Sequence, residues 1–272
     1  MWLGSPLRGA IRLLSYLLLT LLLLPVHLLA VALGLRTIAN RLPVLYHRTV
    51  CGILGIRVRV HGLRSDVTPT LFVCNHVSYL DIEVLGSLVP GSFVAKAEVA
   101  TWPFFKTLAK AQRTIFVERT SSKVSTSRDE MLRRLNTGDN LMLFPEGTSS
   151  DGTRVLPFRS ALFGVAQLRR HDKPIVVQPV AISYTRLDGI PLGRYWRPLF
   201  AWFGDLDLVP HLWQMVCLGA TEAVVTFFPP VDIDRLGDRK KLAEYCFRQV
   251  SSAVQSANSG RLELLPPPSK AA

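Results

Sequence analysis

"PTLFVCNHVSYLDIEVLGSLVP", residues 69–90, is the stretch on which the reading of this chain turns. "TLFVC" is a short apolar run with aromatic and β-branched side chains, the composition of a strand buried on both faces. "NHVSYLD" interrupts it with polar groups, and "IEVLGSLVP" resumes as a mostly apolar segment. Ser78 followed three residues later by Asp81 is a capping box, so Asp81 is expected to accept backbone N–H groups at a helix start. His76 then stands just before the helix, at the carboxyl end of a strand, where α/β folds place ligand-binding residues. If the loop turns back, Asp81 reaches one ring nitrogen of His76 and fixes its tautomer, and the other nitrogen is free to act as a general base. Helix capping by Asp81 alone is the competing account of the same residues.

Working outward, runs of four to eight apolar residues recur as "LGIRVRV", "SFVAK", "TIFVE", "LMLF", "IVVQPVAISY" and "AVVTFF", and each reads as a strand. Lys123 to Leu135 and Ser160 to Arg170 carry charge on one face and apolar residues on the other, and read as helices. Strand and helix alternate, so the expected fold is α/β, with a mixed, largely parallel sheet flanked by helices. With 272 residues, 49% of them hydrophobic, the chain can bury one catalytic-size core and an appendage. The expected division is a membrane anchor over 1–45, the catalytic domain over 46–262 and a flexible tail over 263–272.

The anchor is read from "LLSYLLLTLLLLPVHLLAVALGL", Leu13 to Leu35, 23 residues without a formal charge. As a helix it would be roughly 35 Å long, enough to span a bilayer. Pro25 near its middle favours a hairpin that dips into one leaflet. Arg8 and Arg12 before it and Arg36, Arg41 and Arg48 after it leave the orientation open. A cleaved signal peptide is the alternative, with "AVA" at 30–32 as its cleavage box. Trp196 to Trp213 holds three tryptophans and two phenylalanines among charges and prolines, which suits either a membrane interface or a partly buried loop.

A formal charge of +12 and a pI near 10 are compatible with anionic lipid, an acidic carrier protein or nucleic acid. No nucleic-acid-binding signature accompanies them, so no nucleic-acid partner is expected. Cys51, Cys74, Cys217 and Cys246 lack C-x-x-C spacing, which points to a reducing compartment rather than a disulfide framework. The six histidines are scattered without H-E-x-x-H, so no metal is expected. The nucleotide marks G-x-G-x-x-G and the P-loop are missing, and so is the G-x-S-x-G nucleophile elbow. With no obvious covalent carrier, the base at His76 would activate a hydroxyl belonging to the substrate. Two further stretches offer acceptor contacts. In "LFPEGTSSDGTRVLPFRS", 143–160, a strand runs into a turn that exposes Glu146, Gly147 and Thr148. In "RTIFVERT", 113–120, Arg119 ends a strand and is available to an anion.

Together "NHVSYLD", "KAEVATWPFF…TIFVER", "FPEGT" and "VVQPVAI", in order across residues 71–184, resemble the four blocks of the 1-acylglycerol-3-phosphate acyltransferase family. The resemblance implies an α/β acyltransferase with no covalent intermediate and no cofactor, acyl carrier protein or coenzyme A delivering the acyl group as a thioester. It implies that His76 is the base and Asp81 its partner, and that Arg119, Glu146 and Gly147 bind the acceptor. Two departures bear on that acceptor. Ser149 stands where many members have an arginine that holds phosphate, and Lys106 and Arg113 replace two glycines of the second block. "FPEGTSSDG" and "AQRTIFVER" look most like the bacterial lyso-ornithine lipid acyltransferases, whose acceptor lacks phosphate. The expected activity is acyl transfer to the free hydroxyl of a lysolipid, lyso-ornithine lipid first. Lysophosphatidate is the alternative acceptor, with Lys96 or Arg119 standing in for the missing arginine, and a non-catalytic lipid-binding protein is the alternative of another class. The expected location is the cytoplasmic face of the inner membrane.

Overall fold

The computed structural model describes residues 4–96, 107, 111–117, 121–170 and 172–262, with the side chains of Lys96, Val117 and residues 121–127 outside the description. Two helices come first, α1 (Pro6–Ala32) and α2 (Arg36–Leu54). Strands β1 (Ile56–His61) and β2 (Thr70–Cys74) follow, then α3 (Leu80–Gly86), β3 (Ser92–Lys96) and β4 (Ile115–Val117). After the helix Ser121–Asn136 come β5 (Leu141–Leu143), a 3-10 helix (Ser160–Gln167) and the two-residue strands β6 (Arg169–Arg170) and β7 (Lys173–Pro174). The long β8 (Val176–Leu187), the short β9 (Ile190–Pro191), the helix Leu208–Cys217, β10 (Thr221–Phe227) and the helix Arg239–Asn258 complete the domain.

The main sheet runs β1-β10-β8-β2-β5-β3-β4, with β9 beside β8. All its pairings along that path are parallel except β10 with β8, so the sheet is mixed and largely parallel, as the sequence implies. Period-two alternation divides its side chains between two cores. Phe72, Cys74, Met142, Val180 and Ile182 face one side, and pack with Val84 and Leu85 of α3. Leu71, Val73, Leu141, Leu143 and Val177 face the other, against Leu135, Leu242 and Cys246 of the flanking helices. Both faces are covered, which is why β2 reads as an unbroken apolar run. Pro179 is tolerated within β8 because its carbonyl, and hence its missing N–H, faces Phe228 just beyond the end of β10.

The helix expected over Lys123 to Leu135 is the helix Ser121–Asn136. Ser160 to Arg170, expected as one helix, is instead a 3-10 helix to Gln167 that passes into β6. Its end is tightened by the Leu168 N–H to Val165 carbonyl bond, which turns the chain into the small ribbon. The expected bend at Pro25 is also displaced. α1 runs through Pro25 unbroken, and the chain reverses at residues 33–35, where Gly34 adopts φ 67°, a conformation costly for other residues. α1 is built into the domain at its start: Ser5 N–H bonds the Cys217 carbonyl at 2.9 Å, and the Arg12 guanidinium donates to the carbonyls of Leu218 at 2.7 Å and Val216 at 3.2 Å. Those bonds are what a cleaved leader would forfeit. Leu14, Leu18, Leu21, Leu22, Leu28 and Leu29 lie on the uncovered face of α1, and the helix is long and apolar enough to cross a membrane.

Candidate active site

The site is assembled at the carboxyl ends of adjacent parallel strands. Val73 of β2 pairs with Leu143 of β5, and Cys74 pairs with Val180 of β8, so the loops after β2 and β5 leave the sheet side by side. Asn75 fixes the exit of the first: its Nδ2 donates to the Ile182 carbonyl at 3.0 Å and its Oδ1 accepts the Ile182 N–H at 2.8 Å.

The loop does turn back. His76 Nδ1 lies 2.8 Å from Asp81 Oδ2, and the same oxygen accepts the N–H groups of Val77 at 2.7 Å and Ser78 at 3.0 Å. Asp81 Oδ1 accepts the Tyr184 hydroxyl at 2.9 Å. One carboxylate, 0% exposed, therefore serves both readings of the heptad, since it holds the chain at the start of α3 and orients the histidine. Only half of the expected capping box forms, because the Ser78 hydroxyl is buried without a partner among the described residues. An ionised carboxylate can only accept, so the bonded Nδ1 carries the proton and Nε2 keeps its lone pair. The His76 side chain is 23% exposed, and Nε2 has no partner among the described residues. The ring lies flat on Phe144, centroids 4.3 Å apart at 25°, and Phe144 in turn stacks on Phe93 at 6.2 Å. Phe93 also lines an apolar cavity of about 170 Å³ between α1, α2 and α3, walled by Leu23, Leu24, Leu42 and Ile82.

Glu146 does something the sequence did not suggest. Its two oxygens accept the His76 N–H and the Leu156 N–H, both at 2.7 Å, and the residue is 2% exposed. It clamps the β5 loop to the β2 loop, so its influence on an acceptor runs through main chain rather than direct contact. Burial pushes its carboxyl up to about 8, against the opposing pull of the two N–H donors. Ser150 N–H to the His76 carbonyl, 2.8 Å, adds a second tie between the loops. Gly147 takes φ 68°, which explains glycine in this turn, and Thr148 is exposed beside it. Lys96 ends β3, the next strand over from β5, while Arg119, Lys106 and the tail 263–272 lie outside the described residues.

Trp196 to Trp213 proves to be part of the site's frame. Trp202 N–H bonds the Val77 carbonyl at 3.0 Å, the Ser149 hydroxyl donates to the Trp202 carbonyl, and Phe200 is buried. Tyr195 and Trp196 remain exposed, so the segment is partly buried with a free aromatic edge. Tyr184 and Trp202 lie outside the quoted motifs, and Asn75 opens one of them without any sign of its partner; the long-range pairing of β8 with β2 and the wrapping of this segment bring them in. Among the described residues no cluster of His, Cys, Asp and Glu is arranged to hold a metal.

An oriented histidine base at the ends of parallel strands can take a proton from a hydroxyl, and comparison with known proteins says to which family such a site belongs here. The acyltransferase family profile matches residues 57–183. A lyso-ornithine lipid O-acyltransferase of Brucella abortus is 45% identical over 82% of this chain and 85% of its own length. The chain belongs to the acyltransferase family. A lyso-ornithine lipid O-acyltransferase of Rhizobium meliloti is 42% identical over 89% of this chain and 84% of its own. A 1-acyl-sn-glycerol-3-phosphate acyltransferase of Neisseria meningitidis is 30% identical over 79% and 81%. The fold matches the crystal structure of the 1-acyl-sn-glycerophosphate acyltransferase of Thermotoga maritima with a TM-score of 0.57 at 21% identity, over 90% of this chain and 97% of that one. In this acyltransferase His76 and Asp81 are in bonding contact, and the Ser149 hydroxyl is already engaged.

Proposed function

We propose that this acyltransferase moves a fatty acyl chain from a thioester, of acyl carrier protein or coenzyme A, to the free hydroxyl of a lysolipid, with lyso-ornithine lipid as the acceptor. The observation that carries the reading is the His76 ring, fixed through Nδ1 by Asp81 and open at Nε2. His76 Nε2 removes the hydroxyl proton as the oxygen attacks the thioester carbonyl. A C–O bond forms, the C–S bond breaks, and the proton passes from the imidazolium to the departing thiolate. Asp81 stabilises the imidazolium while it exists, and Tyr184 holds Asp81. Glu146, Gly147 and Thr148 shape the acceptor side of the loop, and the family resemblance assigns acceptor binding to Arg119, with Lys96 as a second cation for it. The acyl chain enters the apolar cavity that begins at Phe93.

The names of the 45% and 42% identical relatives favour lyso-ornithine lipid. Ser149 favours it too, because a neutral hydroxyl tied to the Trp202 carbonyl holds no phosphate. The second reading, transfer to lysophosphatidate, draws on the Neisseria relative. The bare leucine face of α1 suits a lipid surface, with α1 and α2 as a helical hairpin in one leaflet and the catalytic domain on the cytoplasmic face of the inner membrane. Exposed apolar surface on this scale seldom persists in water. The net charge of +12 would draw both anionic headgroups and an acidic carrier protein. The test is to offer the detergent-purified protein labelled acyl carrier protein or acyl coenzyme A with each lysolipid in parallel. Acylation of lyso-ornithine lipid, with lysophosphatidate slower by an order of magnitude or more, is the expected result. Preference for lysophosphatidate would replace the acceptor, and transfer to neither would end the proposal.

A further inference from the structure

Position 149 has no cation, yet the β5 loop carries two exposed arginines, Arg154 and Arg159, and the second is held over the turn. The Arg159 N–H bonds the Pro145 carbonyl at 2.9 Å, closing residues 145–159 into a loop whose far end returns to its start. That closure carries the Arg159 side chain over Gly147. A Cβ added at Gly147 would stand 3.1 Å from Arg159 Nε and 3.2 Å from its Cζ, so glycine here serves as a floor for the guanidinium as well as permitting φ 68°. Gly147 adjoins Glu146, whose carboxyl holds the N–H of His76, so the guanidinium sits over the loop that frames the catalytic ring.

Arg159 is exposed, and no carboxylate pairs with it among the described residues. Its counterparts elsewhere are differently placed: Arg113 and Arg134 share Asp139, Arg133 pairs with Glu130, and Arg169 pairs with Asp234. A guanidinium presents a planar fork that fits a two-oxygen anion, carboxylate or phosphate alike. An amino-acid headgroup attached through its amine retains such a carboxylate.

We propose that Arg159 is the acceptor's anion-binding residue, taking over from position 159 the task that an arginine at position 149 would perform, and receiving a headgroup carboxylate. The inference rests on the lysolipid acyltransferase reading above and adds the group that selects the headgroup. The experiment compares wild type, Arg159→Ala and Arg159→Lys on three acceptors: lyso-ornithine lipid, the same lipid with its carboxylate methylated, and lysophosphatidate. Losing a charge-assisted hydrogen bond is expected to weaken binding roughly 10- to 100-fold. The expected result is that Arg159→Ala raises KM for lyso-ornithine lipid by roughly that factor with kcat within about threefold, while KM for the methyl ester is the same in both proteins. Arg159→Lys restores part of the loss, and its thermal unfolding reports whether the loop is intact should the alanine variant fail to fold. A KM rise confined to lysophosphatidate supports Arg159 as the anion site and changes the anion from carboxylate to phosphate. An equal rise on the methyl ester, or no rise on either anionic acceptor, overturns the proposal. Failure of wild type to acylate lyso-ornithine lipid at all would instead refute the acceptor reading, and the lysophosphatidate arm would still judge Arg159.

Discussion

Asp81→Asn separates the two tasks that one buried carboxylate performs. The substitution is nearly isosteric, and the surrounding donors decide how it sits. With the amide oxygen in the place of Oδ2, the N–H groups of Val77 and Ser78 and the Nδ1–H of His76 all keep their acceptor. The amide NH2 then faces Tyr184, whose hydroxyl turns from donor to acceptor. The flipped amide would set its NH2 against two main-chain N–H groups, each costing about 1–3 kcal/mol, so the first orientation wins. The fold and the tautomer survive in that arrangement, with stability lowered by about 1–2 kcal/mol. What disappears is the negative charge beside the imidazolium formed during transfer. At an effective dielectric constant of about 20, a charge about 4 Å away contributes about 4 kcal/mol, or roughly a thousandfold in rate. Transfer of labelled acyl chain from the thioester, measured beside thermal unfolding, should therefore show kcat down by about 10³ in a protein that still unfolds cooperatively. Activity within tenfold of wild type would refute the reasoning and reduce Asp81 to a helix cap.

Tyr184→Phe removes one of the four bonds to Asp81 and leaves the charge in place, so the free energy of unfolding should fall by about 1.5–3 kcal/mol while kcat falls by no more than about tenfold; a thousandfold loss would mean that Tyr184 acts on the reaction directly. Glu146→Gln tests the buried clamp through pH. The folded carboxyl titrates near 8, well above its usual 4.5, so between those values the folded chain keeps a proton that the unfolded chain has released. Wild-type stability should accordingly decline as pH rises from about 5 to 8, by up to roughly 4–5 kcal/mol, and the glutamine variant should lack that decline. Parallel stability profiles for the two proteins would contradict the assignment.

The sheet and half the site are legible from sequence because they rest on local signals. Five consecutive buried residues in β2 give an apolar run, and His76 and Asp81 are only five positions apart, one in the loop and the other in the first turn of α3. The α/β class follows from the same alternation that puts Phe72 and Leu71 into opposite cores. What escapes is whatever depends on pairing between distant strands. Tyr184 reaches Asp81 across 103 positions, and Asn75 grips Ile182 across 107, and no local pattern announces either pairing. Glu146 looks like an exposed turn residue because a P-E-G turn is ordinarily solvated, and only the donors at His76 and Leu156 draw it inside. Arg12 reads as a flanking charge of the apolar segment, yet the carbonyls at the end of the helix Leu208–Cys217 make it the clasp that fastens α1 to the domain. Pro25 misleads in the opposite sense, since a helix can absorb one proline when a glycine nearby offers the chain an easier place to turn.

The central claim is that His76 Nε2 takes the proton of the acceptor hydroxyl. Its most direct measurement is the transfer rate of His76→Ala from labelled acyl carrier protein to lyso-ornithine lipid, with thermal unfolding recorded on the same preparation. General-base removal predicts a loss of about 10²- to 10⁴-fold in kcat with the cooperative unfolding transition retained. A variant that transfers the acyl chain within a few fold of the wild-type rate would contradict the account.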